Sequence, residues 1–493
     1  VTTDTGSTRV PAQNDAIDPA GMRVIWLLLI AAFVAILNET TMAIAIPELN
    51  RTLGIPREQG QWLTSAFMLT MAVVIPTTGF LLQRFTTRQV FLAAISAFAF
   101  GTLVCLVSPG FTLLLVGRII QASGTGIMMP LLMTTMMNVV PAHSRGRMMG
   151  RVGLVISLAP AIGPTMSGLV IDHLGGWRTI FGIILPIALV ALVVGLKWMT
   201  NLGETTHAPI DVLSIVLSVF AFGGTVFGVS QLGGGEGAAN LGPLPVILLV
   251  VGVIALGLFV WRQISLQKKD DALLDLRVFR SRNFTIAVVI MAVIAFAMFG
   301  SLGMLPLVLQ EVVGLDATDS GLVMLPGALM MGLLGPLMGR IYDRYGPKVL
   351  LVPGTMLVTA SMFVFSGISP EMPVALVVIT QVTMSLGLAG SFTPLFSASL
   401  GSLTRNLYSH GSAALNTLQQ VAGAAGTALL IGIYSSTIAS AVAEGTDASH
   451  ASASGAHSAF LIGGIIAVIT VVLSFFIVKP ADDQEGAGAP AGH

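Results

Sequence analysis

Two charged residues sit where the chain is otherwise apolar. Glu39 lies about 15 residues into the first apolar run, and Arg118 lies inside a second run long enough to cross a bilayer. A charge within a membrane span is costly and by default marks a functional position facing the bundle interior. A carboxyl in low dielectric resists ionising and so can take and release a proton, which makes Glu39 a candidate protonation site. The other reading of Glu39 is a solvated acid that is merely tolerated. Arg118 is a candidate charge partner that senses that proton or binds an anionic group; its other reading is a structural clamp on backbone carbonyls. Helix arithmetic sets the two at similar depth. Glu39 is roughly 22 Å along its helix and Arg118 roughly 12 Å from the opposite boundary, which leaves them about 4 Å apart in height. Asn38 and Gln121, in the same runs, could offer hydrogen bonds to a substrate, as could Asn416, Gln419 and Gln420 on one face of a later helix.

These residues need a membrane bundle to hold them. Of 493 residues 54% are hydrophobic and only 9% charged, against about 25% charged in soluble domains. The mean hydropathy is +0.90. The net charge is zero, so nothing suggests a nucleic-acid partner. A single cysteine, Cys105, rules out an internal disulfide and metal sites that need several thiolates. No HExxH or GxSxG motif is present, so neither a metalloprotease nor a serine hydrolase is indicated. We expect no catalytic residues, no metal and no cofactor beyond an ion gradient. Residues 1–22 read as a polar cytoplasmic tail, not a cleaved signal peptide.

Fourteen helices are expected, over 24–46, 61–83, 89–107, 110–138, 148–171, 178–199, 210–231, 243–263, 283–310, 318–340, 348–368, 372–400, 411–439 and 456–478. With the N-terminus inside, every Lys and Arg except Arg51, Arg57, Arg178 and the intramembrane Arg118 falls on the cytoplasmic side. The positive-inside rule therefore places both termini in the cytoplasm, the 232–242 loop outside and the 264–282 loop inside. His143, His173 and His410 fall in expected loops.

A repeat is visible. Gly79 through Gln83, Arg84 and Arg88 ends the second helix, and Gly339 through Asp343, Arg344 and Lys348 ends the tenth. Paired glycine-then-basic turns on one side mark a transporter of two related halves. The expected division is a tail at 1–22, a six-helix bundle at 23–200, an inserted helix pair with a cytoplasmic linker at 201–282, a second six-helix bundle at 283–478, and a tail at 479–493. The basic turns form candidate cytoplasmic gates, the second the stronger because it carries Asp343, which can accept hydrogen bonds from a neighbouring helix N-terminus or an arginine. After the turn at Arg145, Arg147 and Arg151, the fifth helix carries Gly153, Pro160, Gly163, Pro164 and Gly168. Small residues at this spacing suit close helix approach, and the prolines can kink the helix. Their functional reading is a dry hinge between the halves; the alternative is generic tight packing.

Together these segments resemble the major facilitator superfamily, and more narrowly its fourteen-helix drug:proton antiporter family near the lincomycin-resistance branch. The resemblance rests on Leu37-Asn38-Glu39-Thr40 with Ala45-Ile46-Pro47, on Gln61-Trp62-Leu63-Thr64, on Gly79 to Arg88, on Gly117-Arg118 with Gln121 and Gly124, and on Ala159-Pro160 through Gly163-Pro164 to Gly168. It departs from the family pattern at Asn38 and Gln83, where an Asp is usual. It implies proton-coupled efflux of lipophilic or amphipathic, cationic or neutral compounds by a monomer in the inner membrane, working by alternating access, with drug-like small molecules, protons and membrane lipids as partners. The alternative on the same fold is a dedicated exporter of one metabolite or lipid.

Overall fold

A computed structural model of the chain describes residues 19–55, 57–201, 211–232, 242–269, 271–315 and 317–480. The expected tails at 1–22 and 479–493 and the 232–242 loop fall largely outside the described residues.

Among those described, the chain is helical throughout, with no strand. The helices are α1 (Pro19–Leu53), α2 (Arg57–Arg84), α3 (Thr87–Val107), α4 (Phe111–Val139), α5 (Arg145–His173), α6 (Trp177–Trp198), α7 (Val212–Ser218), α8 (Gly224–Leu232), α9 (Leu244–Leu266), α10 (Arg282–Glu311), α11 (Ala317–Tyr345), α12 (Lys348–Ser366), α13 (Val374–Gly401), α14 (Tyr408–Ala443) and α15 (Ala448–Ser474). A π-turn over Val219–Gly223 joins α7 to α8 as one bent segment. Among the described residues, thirteen segments are long and apolar enough to cross a membrane, and the 29-residue α5 is of the same length class. In lipid every backbone group must be satisfied within the helix or by protein neighbours, which is why apolar runs of this length form helices.

Short turns hold the helices antiparallel. Thr86 starts α3 with a capping box, its Oγ1 accepting from Gln89 N at 3.3 Å while Gln89 Oε1 accepts from Thr86 N at 3.1 Å. α1 packs on α4, α5 and α6, and α10 on α13, α14 and α15. The two groups meet chiefly where α5 lies on α11 and α2 on α14. The α7–α9 pair flanks the second of these seams, touching α2 and α14, with Trp62 stacked on Phe227 at 5.5 Å.

The linker after α9 is not a free tether. Ala272, Leu273, Leu274, Asp275 and Val278 are buried. Gln263 on α9 anchors it, its Oε1 accepting from Leu274 N at 3.1 Å while its Nε2 donates to Ser214 Oγ at 2.7 Å. His410, expected in a loop, is instead buried in the first turn of α14. That helix begins three residues earlier than its apolar run: Tyr408 and Ser409 are buried with His410, which lies against Gly79 of α2, and Arg145 of α5 packs on the Tyr408 ring.

Candidate functional site

The close packing of α3 on α4 sets the site. A Cβ at Gly101 would lie 2.5 Å from Gln121 N, and one at Gly117 would lie 2.7 Å from Cys105 Sγ. Glycine at both positions lets the two backbones touch, and that contact carries Thr102 to Gln121. Gln121 Nε2 donates to Thr102 Oγ1 at 2.8 Å and to Asn38 Oδ1 of α1 at 3.2 Å. Its Oε1 accepts from Arg118 Nη1 at 2.7 Å. Arg118 lies over the Phe67 ring of α2, 4.0 Å from its centroid. All five of these side chains are fully buried.

Four helices thus converge on one arginine. Its charge is held by a cation–π contact and one hydrogen bond, while Arg118 Nε and Nη2 and Asn38 Nδ2 have no acceptor among the described residues. Donors of this kind are costly to bury without partners. Glu39, half-buried and next to Asn38, lies close enough for its charge to interact with that of Arg118, and no direct ion pair joins them. The expected similarity of depth therefore corresponds to real proximity, but α1 reaches the network through Asn38. Phe67 and Thr102 were missed in the sequence. A phenylalanine or threonine in an apolar helix looks like its neighbours.

α5 is fixed against α1 by Ser167, whose Oγ donates to Thr41 O at 2.8 Å, and by Gly163, where a Cβ would fall 2.1 Å from Thr40 Oγ1. A Cβ at Gly153 or at Gly168 would meet no described residue within 4 Å. Pro160 and Pro164 continue the same helix, and their side chains lie outside the described residues. The closest approach between the two groups of helices comes earlier on α5. A Cβ at Gly146 would lie 2.7 Å from Gly339 O, and one at Gly150 would lie 2.3 Å from Gly335 O on α11.

At this basic end of the bundle Asp343 caps the first turn of α5, and Gly79 of α2 lies against His410 of α14, where a Cβ would come 2.7 Å from the imidazole Nδ1. Gln83 Nε2 donates to Asn406 O at 2.6 Å, also across the two groups. Arg88 donates to Leu196 O at 2.9 Å at the end of α6, Arg84 lies 6.0 Å from the Phe80 ring, and Arg344 lies 5.2 Å from the Tyr345 ring. On α14, Asn416 Nδ2 donates to Ser412 O at 2.8 Å; Gln419 and Gln420 follow on the same face, half-buried, and none of the three hydrogen-bonds to the Arg118 network.

A sequence profile of the Major Facilitator Superfamily matches residues 28–427. The chain is 40% identical over 463 residues to the uncharacterized MFS-type transporter YcnB of Bacillus subtilis (strain 168), covering 94% of this chain and 96% of that protein. It is 39% identical over 470 residues to the lincomycin resistance protein LmrB of the same organism, covering 94% and 97%. Among solved structures, the proton:xylose symporter XylE superposes with a TM-score of 0.65 at 13% identity, over 95% of this chain and 98% of that one. The human organic anion transporter MFSD10 gives 0.63 at 14%, over 92% and 100%. With this fold, and with curated relatives matched over nearly their whole length, the chain is a transporter and not an enzyme, and it belongs to the Major Facilitator Superfamily.

Proposed function

We propose that this transporter is a proton-coupled antiporter that exports lipophilic or amphipathic, cationic or neutral small molecules. The observation that carries the reading is an intramembrane acid, Glu39, near a fully buried arginine whose Nε and Nη2 have no acceptor among the described residues. A proton and a substrate can then compete for one charge balance: protonating Glu39 leaves Arg118 uncompensated, and a bound substrate biases the same equilibrium. The names of the lincomycin-resistance relatives support drug-like cargo.

In this reading the 29-residue α5 is the fourteenth span, the bundles at 23–200 and 283–478 are the moving halves, and 201–282 is an inserted unit. The charge bias puts the basic end in the cytoplasm of the inner membrane. Tight packing closes that end, and rocking of the halves alternates access. Pro109, in the turn between α3 and α4, and Ser265, near the end of α9, are both exposed. Thiols introduced by Pro109→Cys and Ser265→Cys test the orientation: an impermeant reagent on intact cells should label the first and not the second. Everted vesicles test the activity. Acidifying the lumen should drive uptake of several unrelated lipophilic compounds. Uptake of a single compound would instead make the chain a dedicated exporter, and uptake indifferent to the proton gradient would defeat the coupling.

A further inference from the structure

Glu311 ends α10 at the face opposite the basic turns, where a rim acid is ordinarily just solvated. Its surroundings here are built. Tyr434 of α14, buried to 3% exposure, donates its hydroxyl to Glu311 Oε2 at 2.6 Å. Gly455 lets α15 close over the ring: a Cβ there would come 3.0 Å from Tyr434 Cδ2. The exposed carboxylate is thus tethered to α14 by one hydrogen bond, and it has no Lys or Arg partner among the described residues. It faces a cleft of about 460 Å³ lined by Leu307, Tyr434, Ser435, Ile438, Ala439 and Val442.

We propose that this cleft is a binding subsite for a lipophilic monovalent organic cation. The carboxylate tethered by the Tyr434 hydroxyl supplies the charge complement, and the aliphatic wall takes the apolar bulk. The volume lies in the range of small-molecule sites. An anion would meet the carboxylate, and a metal ion would find one acid where it needs several oxygen ligands. Binding follows from the geometry alone. Its placement on the exit side of transport rests on the efflux reading above.

The test is local occupancy on purified protein without any gradient, so its failure is separate from failure of transport. Ser435 is exposed and Cys105 buried. The thiol introduced by Ser435→Cys therefore reports on the cleft, with the parent protein as the silent control. Tetraphenylphosphonium should slow its alkylation, while neutral triphenylphosphine oxide should not. Adding Glu311→Gln should raise the half-protecting concentration by about tenfold, within the range that one charge contact supplies between interior and water dielectric. Ile438→Trp, which fills the cleft from the other helix face and leaves the acid untouched, should abolish protection even if Glu311→Gln fails to fold. Absence of protection in the parent, equal protection by the neutral compound, or protection unchanged in both variants would overturn the proposal.

Discussion

Both oxygens of the Asp343 carboxylate accept backbone N–H groups from the first turn of α5, Oδ1 from Gly146 and Oδ2 from Arg147, each at 2.8 Å. One side chain of α11 therefore caps a helix of the other group. The positive end of the α5 dipole and two orphan donors are satisfied together.

Asp343→Asn puts an amide N–H₂ where one of these backbone donors needs an acceptor. It should slow transport by about tenfold, in line with loss of a charge-assisted hydrogen bond. Gln83→Ala removes only one neutral bond to Asn406 O and should have the smaller effect. Initial efflux rates at matched expression compare them, and equal rates would refute the ranking.

Gly339→Ala places its Cβ 2.1 Å from Gly146 O, backbone that cannot swing aside, whereas Gly168→Ala on α5 meets no described residue within 4 Å. The first should destabilise by about 1–3 kcal/mol, the usual size of an overpacking effect, and the second should be close to neutral. Thermal unfolding in detergent measures both; similar midpoints for the two variants would contradict the seam.

Glu39→Gln should flatten the pH dependence of substrate affinity between about pH 5 and 9, the range bracketing a buried carboxyl, while some binding survives. In the parent, affinity should fall as protons bind. A variant that keeps the parental profile would remove Glu39 from the coupling role and shift attention to Glu311 and Asp343.

Asp211, just before α7, accepts two hydrogen bonds from Arg262 of α9 at 2.7 Å each. This guanidinium holds its carboxyl below the usual range. A depressed folded-state value means that the pair stabilises above the unfolded value, about 3.9, and that this contribution is lost as the pH falls through the folded value. Asp211→Asn should therefore cost about 1 kcal/mol at pH 7, since the pair is partly exposed. Unfolding midpoints should converge with the parent as the solution is acidified below the carboxylate range. A gap constant with pH would show that the carboxylate charge is not the source.

The helix positions were readable because each apolar run exceeds what a bilayer requires, and Arg118, Asn38 and Gln121 stood out as polar groups within such runs. The Gly–Gly seam was also written in the chain. Gly146 and Gly150, and Gly335 and Gly339, each stand four apart, the spacing that lines one helix face. The stripe from Gly153 to Gly168 drew the reading further along α5. Glu311 and Tyr434 are 123 residues apart, and nothing local in either segment signals the other. The buried linker was hidden by its own charges: Asp275 pairs with Arg277 beside it, so a stretch that reads as solvated turns its apolar residues inward.

The glycine seam between α5 and α11 is backbone laid on backbone. Its parting frees almost no side-chain rotamers and uncovers peptide groups that water solvates readily. Its re-formation in turn immobilises almost none. A joint of that kind works like a clasp with a single tooth, the Asp343 carboxylate: if the halves rock as proposed, only that side chain has to be seated again on each cycle, and the two helices can part and meet with their register intact.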